Sequence, residues 1–226
     1  MAKKKQRPIP RKSNPIMVYA AVAVLIIALL AIYHYSGNSG NSSVTVNEKL
    51  PTTGKFVKLN KPGTYEEGKV KIMEFMKFDC SHCYDMHRSM PALLNKYGGN
   101  IQVSYIPIVW QGQSTKSIEA YIIAEQMGKG EEMRDALFQA KFVKGSDIME
   151  SSIAIEDAAA SIGLGADFKA KLEGGEGRKA ALSNLGMMSD FSIQGTPTLI
   201  INGNINVDPP TIANLEDVVG SLVNAQ

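Results

Sequence analysis

Hydrophobic and polar positions divide the chain into stretches of different period. Ile16 to Tyr33 is an unbroken apolar run of eighteen residues without a charge, a Gly or a Pro. At 1.5 Å per residue, a helix of that length nearly spans the roughly 30 Å of a bilayer's hydrocarbon. After Phe56 the pattern becomes that of a globular protein. "KFVKL" is a short candidate strand, and "VKIMEFMKF" (70–78) is an apolar-rich run bounded by polar turns that predicts a central strand. "SHCYDMHRSMPALLNKY" continues as a helix with Met86, Met90, Leu93 and Leu94 as its apolar set, and Pro91 is expected to kink it. "IQVSYIPIVW" (101–110) supplies a second strand, completing a β-α-β unit.

Between residues 115 and 190 apolar residues recur at i, i+3, i+4 and i+7, as in Met133, Ala136, Leu137, Ala140 and in Ile155, Ala158, Ala159, Ile162. That spacing predicts a helical subdomain. "TPTLIINGNINVD" then reads as two short strands around an Asn-Gly-Asn turn, and Ile212, Leu215, Val218, Val219 and Leu222 mark a closing helix. The predicted order is β-β-α-β, helices, β-β-α.

Charge decides how the apolar N-terminal run is read. Lys3, Lys4, Lys5, Arg7, Arg11 and Lys12 precede it with no acid, and the first acid in the chain is Glu48. The positive-inside rule then predicts a cytoplasmic basic tail (1–15), a transmembrane anchor (16–35) and export of everything beyond. A cleaved signal peptide is the alternative, although its apolar region usually has 7 to 15 residues and "AIYHYSGNSG" offers no good small-x-small site. "SGNSGNSS" (36–43) opens a flexible linker (36–53); a Gly/Ser chain of about eight residues has a typical span of roughly 15 Å, which holds the globular part near the membrane. Without the six basic residues, 18 Lys and Arg face 22 Asp and Glu, a net charge of about −4. No nucleic-acid footprint survives. The 44% hydrophobic and 20% charged composition allows a proper core.

The only two cysteines lie in "FDCSHCYDMH" (78–87), at the predicted strand-to-helix junction. A C-x-x-C spacing serves zinc, a structural bridge or redox exchange. Zinc normally takes four ligands, and beyond Cys80, Cys83 and His87 the chain offers no second cysteine pair and only His82, inside the motif, and His34, at the edge of the apolar run. A bridge closing so small a loop removes little unfolded-state entropy. Redox exchange accounts for the pair best. At a helix N-terminus, Cys80 meets unpaired N–H groups and the positive end of the macrodipole, which favour a thiolate. Cys80 is then the nucleophile and Cys83, one turn further in, resolves the mixed disulfide. His82 lowers the Cys80 pKa by hydrogen bond or charge, a solvated histidine being the plainer alternative; for His87 an exposed helix position is the plain expectation. Asp79 acts in the opposite sense, unless it caps the helix and competes for the same N–H groups.

"EFMKFDCSHCY", the helical insert after the second strand of the unit, and "GTPT" at 195–198 together make residues 54 to 224 resemble a DsbA-type thiol oxidoreductase. The resemblance implies an α/β thioredoxin fold with an inserted helical subdomain, here preceded by one N-terminal transmembrane helix. Its parts are an N-terminal thioredoxin segment (54–114), the helical insertion (115–190) and a C-terminal thioredoxin segment (191–226). The family's dipeptide usually reads Pro-His, so Ser81–His82 keeps the histidine and drops the proline.

Thr196–Pro197 matches the loop where such proteins place a cis proline facing the redox pair, with an ordinary trans turn as the alternative. The resemblance implies that the Thr196 backbone pairs with an extended substrate segment. Glu74 is similar in position to the family's buried acid, which takes the resolving thiol's proton; a solvent-facing strand residue is the alternative. Methionines such as Met86, Met90, Met187 and Met188 either line an adaptable apolar surface or pack in the core.

The implied function is disulfide donation outside the cytoplasm, in the periplasm or at the cell exterior, to folding exported proteins. It needs no cofactor or metal and is carried out by a membrane-tethered monomer. A membrane quinone-linked oxidase of the DsbB or VKOR-like kind would re-oxidise the pair. Two alternatives stay open: an isomerase or reductase of the same fold, and a non-redox binding module whose disulfide is structural.

Overall fold

A computed structural model describes residues 49–224 of the chain. The expected basic tail and anchor, and residues 36–48 of the expected linker, lie outside the described residues. Among the described residues no helix is long and apolar enough to cross a membrane.

Five strands form one mixed sheet: β1 (Phe56–Lys58), β2 (Val70–Met76), β3 (Ile101–Pro107), β4 (Thr198–Ile201) and β5 (Ile205–Val207). The spatial order is β1-β5-β4-β2-β3. β2 and β3 run parallel, as a helical crossover requires, and the other neighbours are antiparallel. That crossover is α1 (Ser81–Tyr97), so "VKIMEFM" sits in the interior of the sheet and ends beside the cysteine pair. Pro91 occupies an exposed position on α1, and the helix continues past it for six residues to Tyr97. β4 and β5 are joined by a turn closed by the Asn204 N–H donating to the Ile201 carbonyl (3.2 Å). Asn202 (φ 48°) and Gly203 (φ 78°) take the left-handed conformations this turn needs, which Asn and Gly tolerate best.

Strand alternation on β2 separates the two faces of the sheet. Val70 and Ile72 pack against Met86, Met90 and Leu93 of α1 and against Leu215, Val218, Val219 and Leu222 of the C-terminal helix, α7 (Ile212–Asn224). Phe75 points the other way, toward Ile106, Ile108, Ile193 and Ile200. Between β3 and β4 the chain forms five helices: α2 (Lys116–Gln126), α3 (Gly130–Phe142), α4 (Ser152–Ser161), α5 (Ala166–Glu173) and α6 (Arg178–Asp190). Met133, Ala136, Leu137 and Ala140 are all buried on α3, as their spacing predicts, and Ile155, Ala158 and Ala159 on α4, whereas Ile162 caps the C-terminus of α4 and is only partly buried. Phe138 joins them, fully buried and edge-on to Phe78 at 5.4 Å between ring centroids. Burying side chains of this size stabilises the fold by about 1.5–3 kcal/mol each. This helical core also contains Met76, Phe78 and Cys83, so the insert packs directly beneath the cysteine pair.

Candidate active site

Met76 ends β2, and the next four residues turn the chain into α1. The Cys80 N–H donates to the Lys77 carbonyl (3.3 Å), and Cys80 has extended backbone angles (φ −96°, ψ 118°). Cys80 is therefore the N-cap of α1, with its sulfur accepting the Cys83 N–H at 3.3 Å. The cap role weighed for Asp79 belongs to the cysteine. Asp79 instead pairs with Lys77, at 3.2 Å to Oδ1 and 3.4 Å to Oδ2.

The two cysteines are in the dithiol form and differ in access: Cys80 is partly exposed and Cys83 is fully buried. Their acidities diverge accordingly. The Cys83 thiol is the largest influence holding Cys80 down, from an ordinary 9.0 to about 5. Burial opposes this, while the Thr196 side chain and the backbone N–H groups of Cys83 and His82 add to it. Cys83 is pushed well up, first by Cys80 and then by burial. A thiolate on Cys80 thus accepts the N–H groups at the helix start, and the shielded sulfur keeps its proton. The His82 imidazole is exposed; its backbone N–H is what reaches Cys80.

The loop before β4 closes over the pair from far along the chain. In its thiol form Cys80 donates to the Thr196 carbonyl (3.2 Å), a contact that favours the protonated state. The Thr196–Pro197 peptide is cis, and Pro197 is buried. Beside this loop runs a groove of about 370 Å³ with mostly apolar walls. It is lined by His82, Asp85, Met86 and Ser89 of α1, by Thr196 and Pro197, and by Pro210, Thr211 and Ile212 at the start of α7.

Glu74 lies inside the protein, 1% exposed, opposite Tyr105 of β3 and Leu199 of β4. Its Oε2 has no hydrogen-bond partner. Burial raises its carboxyl from 4.5 to about 8, Arg134 pulls it back, and the Cys80 charge pushes it further up. Arg134, a buried charge on α3, stacks 3.5 Å from the centroid of Tyr105 and donates from Nε to His87 Nδ1 at 3.4 Å. Burial also pushes the Tyr105 hydroxyl up to about 12. His87 is not the exposed residue expected: it stacks on Phe138 at 4.9 Å, sits 3.3 Å from Asp135 and is shifted down by burial. Sequence reasoning missed Arg134, whose only signal was a charge beside the apolar stripe of α3. It also missed Lys77, the residue just after β2 in an apolar-rich run that carries Lys71 and Glu74 as well. Among the described residues no cluster of His, Cys, Asp and Glu is arranged to hold a metal.

Residues 65–220 match the sequence profile of the thioredoxin family, more than half of the chain, and the protein belongs to that family. Curated relatives include the thiol:disulfide interchange protein DsbA of Burkholderia cepacia, 25% identical over 169 residues that cover 70% of this chain and 76% of the relative. The protein of the same name from Azotobacter vinelandii is 22% identical over 144 residues, covering 63% and 67%. Among solved structures, the oxidoreductase DsbA from Xylella fastidiosa is similar with a TM-score of 0.66 at 23% identity, over 78% of this chain and 98% of that one. Pseudomonas aeruginosa DsbA has a TM-score of 0.64 at 17% identity, over 76% and 92%. What these structures share with the chain is the fold, a thioredoxin fold carrying a DsbA-like helical insert.

Proposed function

We propose that the protein is a thiol:disulfide oxidoreductase that donates disulfides to folding exported proteins, tethered to the membrane by residues 16–35 with its catalytic domain outside the cytoplasm. The observation that carries this reading is the asymmetry of the pair: a reachable sulfur with its pKa near 5 above a buried one pushed far up. A structural bridge has no use for that difference, whereas an exchange catalyst needs it. Stabilising the Cys80 thiolate stabilises the dithiol form and makes the disulfide more oxidising.

In the oxidising direction a substrate thiolate attacks Sγ of Cys80 in the Cys80–Cys83 disulfide. The S–S bond breaks, its electron pair leaves with Cys83, and the substrate is held on Cys80 as a mixed disulfide. Glu74, protonated below about 8, is the proton source for Cys83. A second substrate thiolate then attacks the substrate's own sulfur and expels the Cys80 thiolate. The substrate leaves oxidised and the protein is a dithiol, two electrons richer. A membrane quinone-linked oxidase of the DsbB or VKOR-like kind takes those electrons and restores the disulfide. Thr196 offers backbone to an extended substrate segment, and the adjoining groove, with Met86, Pro197 and Ile212 in its walls, takes that segment's apolar side chains.

Cysteine variants test the roles. Cys80→Ser abolishes exchange with peptide disulfides, whereas Cys83→Ser accumulates mixed disulfides, resolved as higher-mass species on non-reducing gels. Equal trapping by both variants would overturn the assignment.

A further inference from the structure

Lys77 is the least expected charge near the redox pair. It follows directly on β2, its side chain is 7% exposed, and a buried ammonium is costly unless it is paired. Its geometry shows where the charge goes. Phe78 points into the helical insert against Phe138 and Tyr121, while Lys77 and Asp79 meet on the other side of the segment. The ammonium lies within 3.4 Å of both Asp79 carboxylate oxygens and 5.8 Å from the centroid of the Trp110 ring. The same residue's carbonyl accepts the Cys80 N–H, so side chain and backbone both act on the turn that delivers the sulfur.

We propose that Lys77 is a positioning residue for the redox pair: its buried ammonium clamps the Asp79 carboxylate beside Cys80 and cancels most of that carboxylate's opposition to a negative sulfur. Without Lys77, a carboxylate one residue from the sulfur acts as a bare like charge. With it, Cys80 meets a dipole, whose field falls off faster than that of a single charge. The other titratable groups around Cys80 are Cys83 and His82 on α1 and Glu74 on β2, the last facing Arg134 of α3. All of them are retained in every Lys77 and Asp79 variant. The proposal rests on Cys80 being the reactive thiol.

Alkylation of the reduced protein by iodoacetamide tests it, at the pH where wild-type Cys80 is half ionised; the contrast between variants therefore holds wherever that pH lies. Lys77→Met exposes the sulfur to a bare carboxylate and raises its pKa by about one unit, cutting the thiolate fraction and the initial rate about fivefold. Lys77→Arg keeps the rate, and Lys77→Met with Asp79→Asn restores it. Asp79→Asn alone leaves a bare ammonium and alkylates faster than the double variant, a comparison that survives if Lys77→Met does not fold. Lys77→Met alkylating like wild type, or a double variant as slow as Lys77→Met, would overturn the proposal. A wild-type Cys80 half ionised only near pH 8 would instead count against the oxidase reading and leave the ordering of the variants intact.

Discussion

Glu74→Gln should make the protein more stable and worse at its work. The wild-type carboxyl titrates at about 8 in the folded chain against an ordinary 4.5. A raised folded-state value means that the unfolded chain gives up the proton first as pH rises. Stability contributed by the neutral carboxyl is therefore complete below 4.5 and is lost as pH climbs toward 8. Each unit of the gap is about 1.4 kcal/mol, so at pH 7 the loss is about 3 kcal/mol. Glutamine has the same shape and never ionises, which removes the loss. For a domain of this size, about 3 kcal/mol corresponds to a rise of about 6–12 °C in Tm. Thermal unfolding of the dithiol form at pH 4.5 and pH 7 measures it: the two proteins should match at the lower pH and separate at the higher. In the disulfide form the gain should shrink, because the Cys80 charge that pushes Glu74 up is gone. A variant no more stable than wild type at pH 7, or equally favoured at both pH values, would refute the reasoning.

Two further outcomes follow from the site's geometry and one from the apolar N-terminal run. The reduction potential should fall by about 59 mV per pH unit below pH 5, where two protons accompany two electrons, and by about 30 mV per unit above it, where Cys80 stays ionised; a single steep slope up to pH 8 would contradict the low Cys80 value. Ile212→Asp, at the mouth of the groove and the first turn of α7, should weaken binding of an apolar peptide about tenfold by titration. Exchange with glutathione should be unaffected, because an acid suits a helix N-terminus and the sulfur is untouched. Fractionation of native cells should leave the full-length chain in the membrane pellet through high-salt and alkaline washes, whereas a soluble product beginning near Ser36 would mean a cleaved signal.

Local pattern made the scaffold around the cysteines legible. β2, α1 and β3 follow from an apolar run, a 3.6-residue period and a second apolar run, and the α3 stripe was buried residue for residue. Cys80 at the helix start was readable for the same reason, since strand and helix periods change there. What stayed hidden depends on contacts between distant parts of the chain. Arg134 meets His87 across 47 positions, and the approach of the Thr196 loop to Cys80 across 116 was expected only from the family resemblance. No periodicity reports such meetings. The pairing of Asp79 with Lys77 was missed for a smaller reason: the turn at 77–80 brings two side chains together that strand alternation alone leaves unassigned.

Whether the pair is poised to give its disulfide away is read from equilibration with glutathione redox buffers at pH 7. The fraction of Cys80–Cys83 disulfide at each buffer ratio gives the potential. A disulfide donor gives a value more oxidising than about −200 mV, between thioredoxin at about −270 mV and DsbA at about −120 mV. A value near −270 mV would contradict the donor reading and make the protein a reductase.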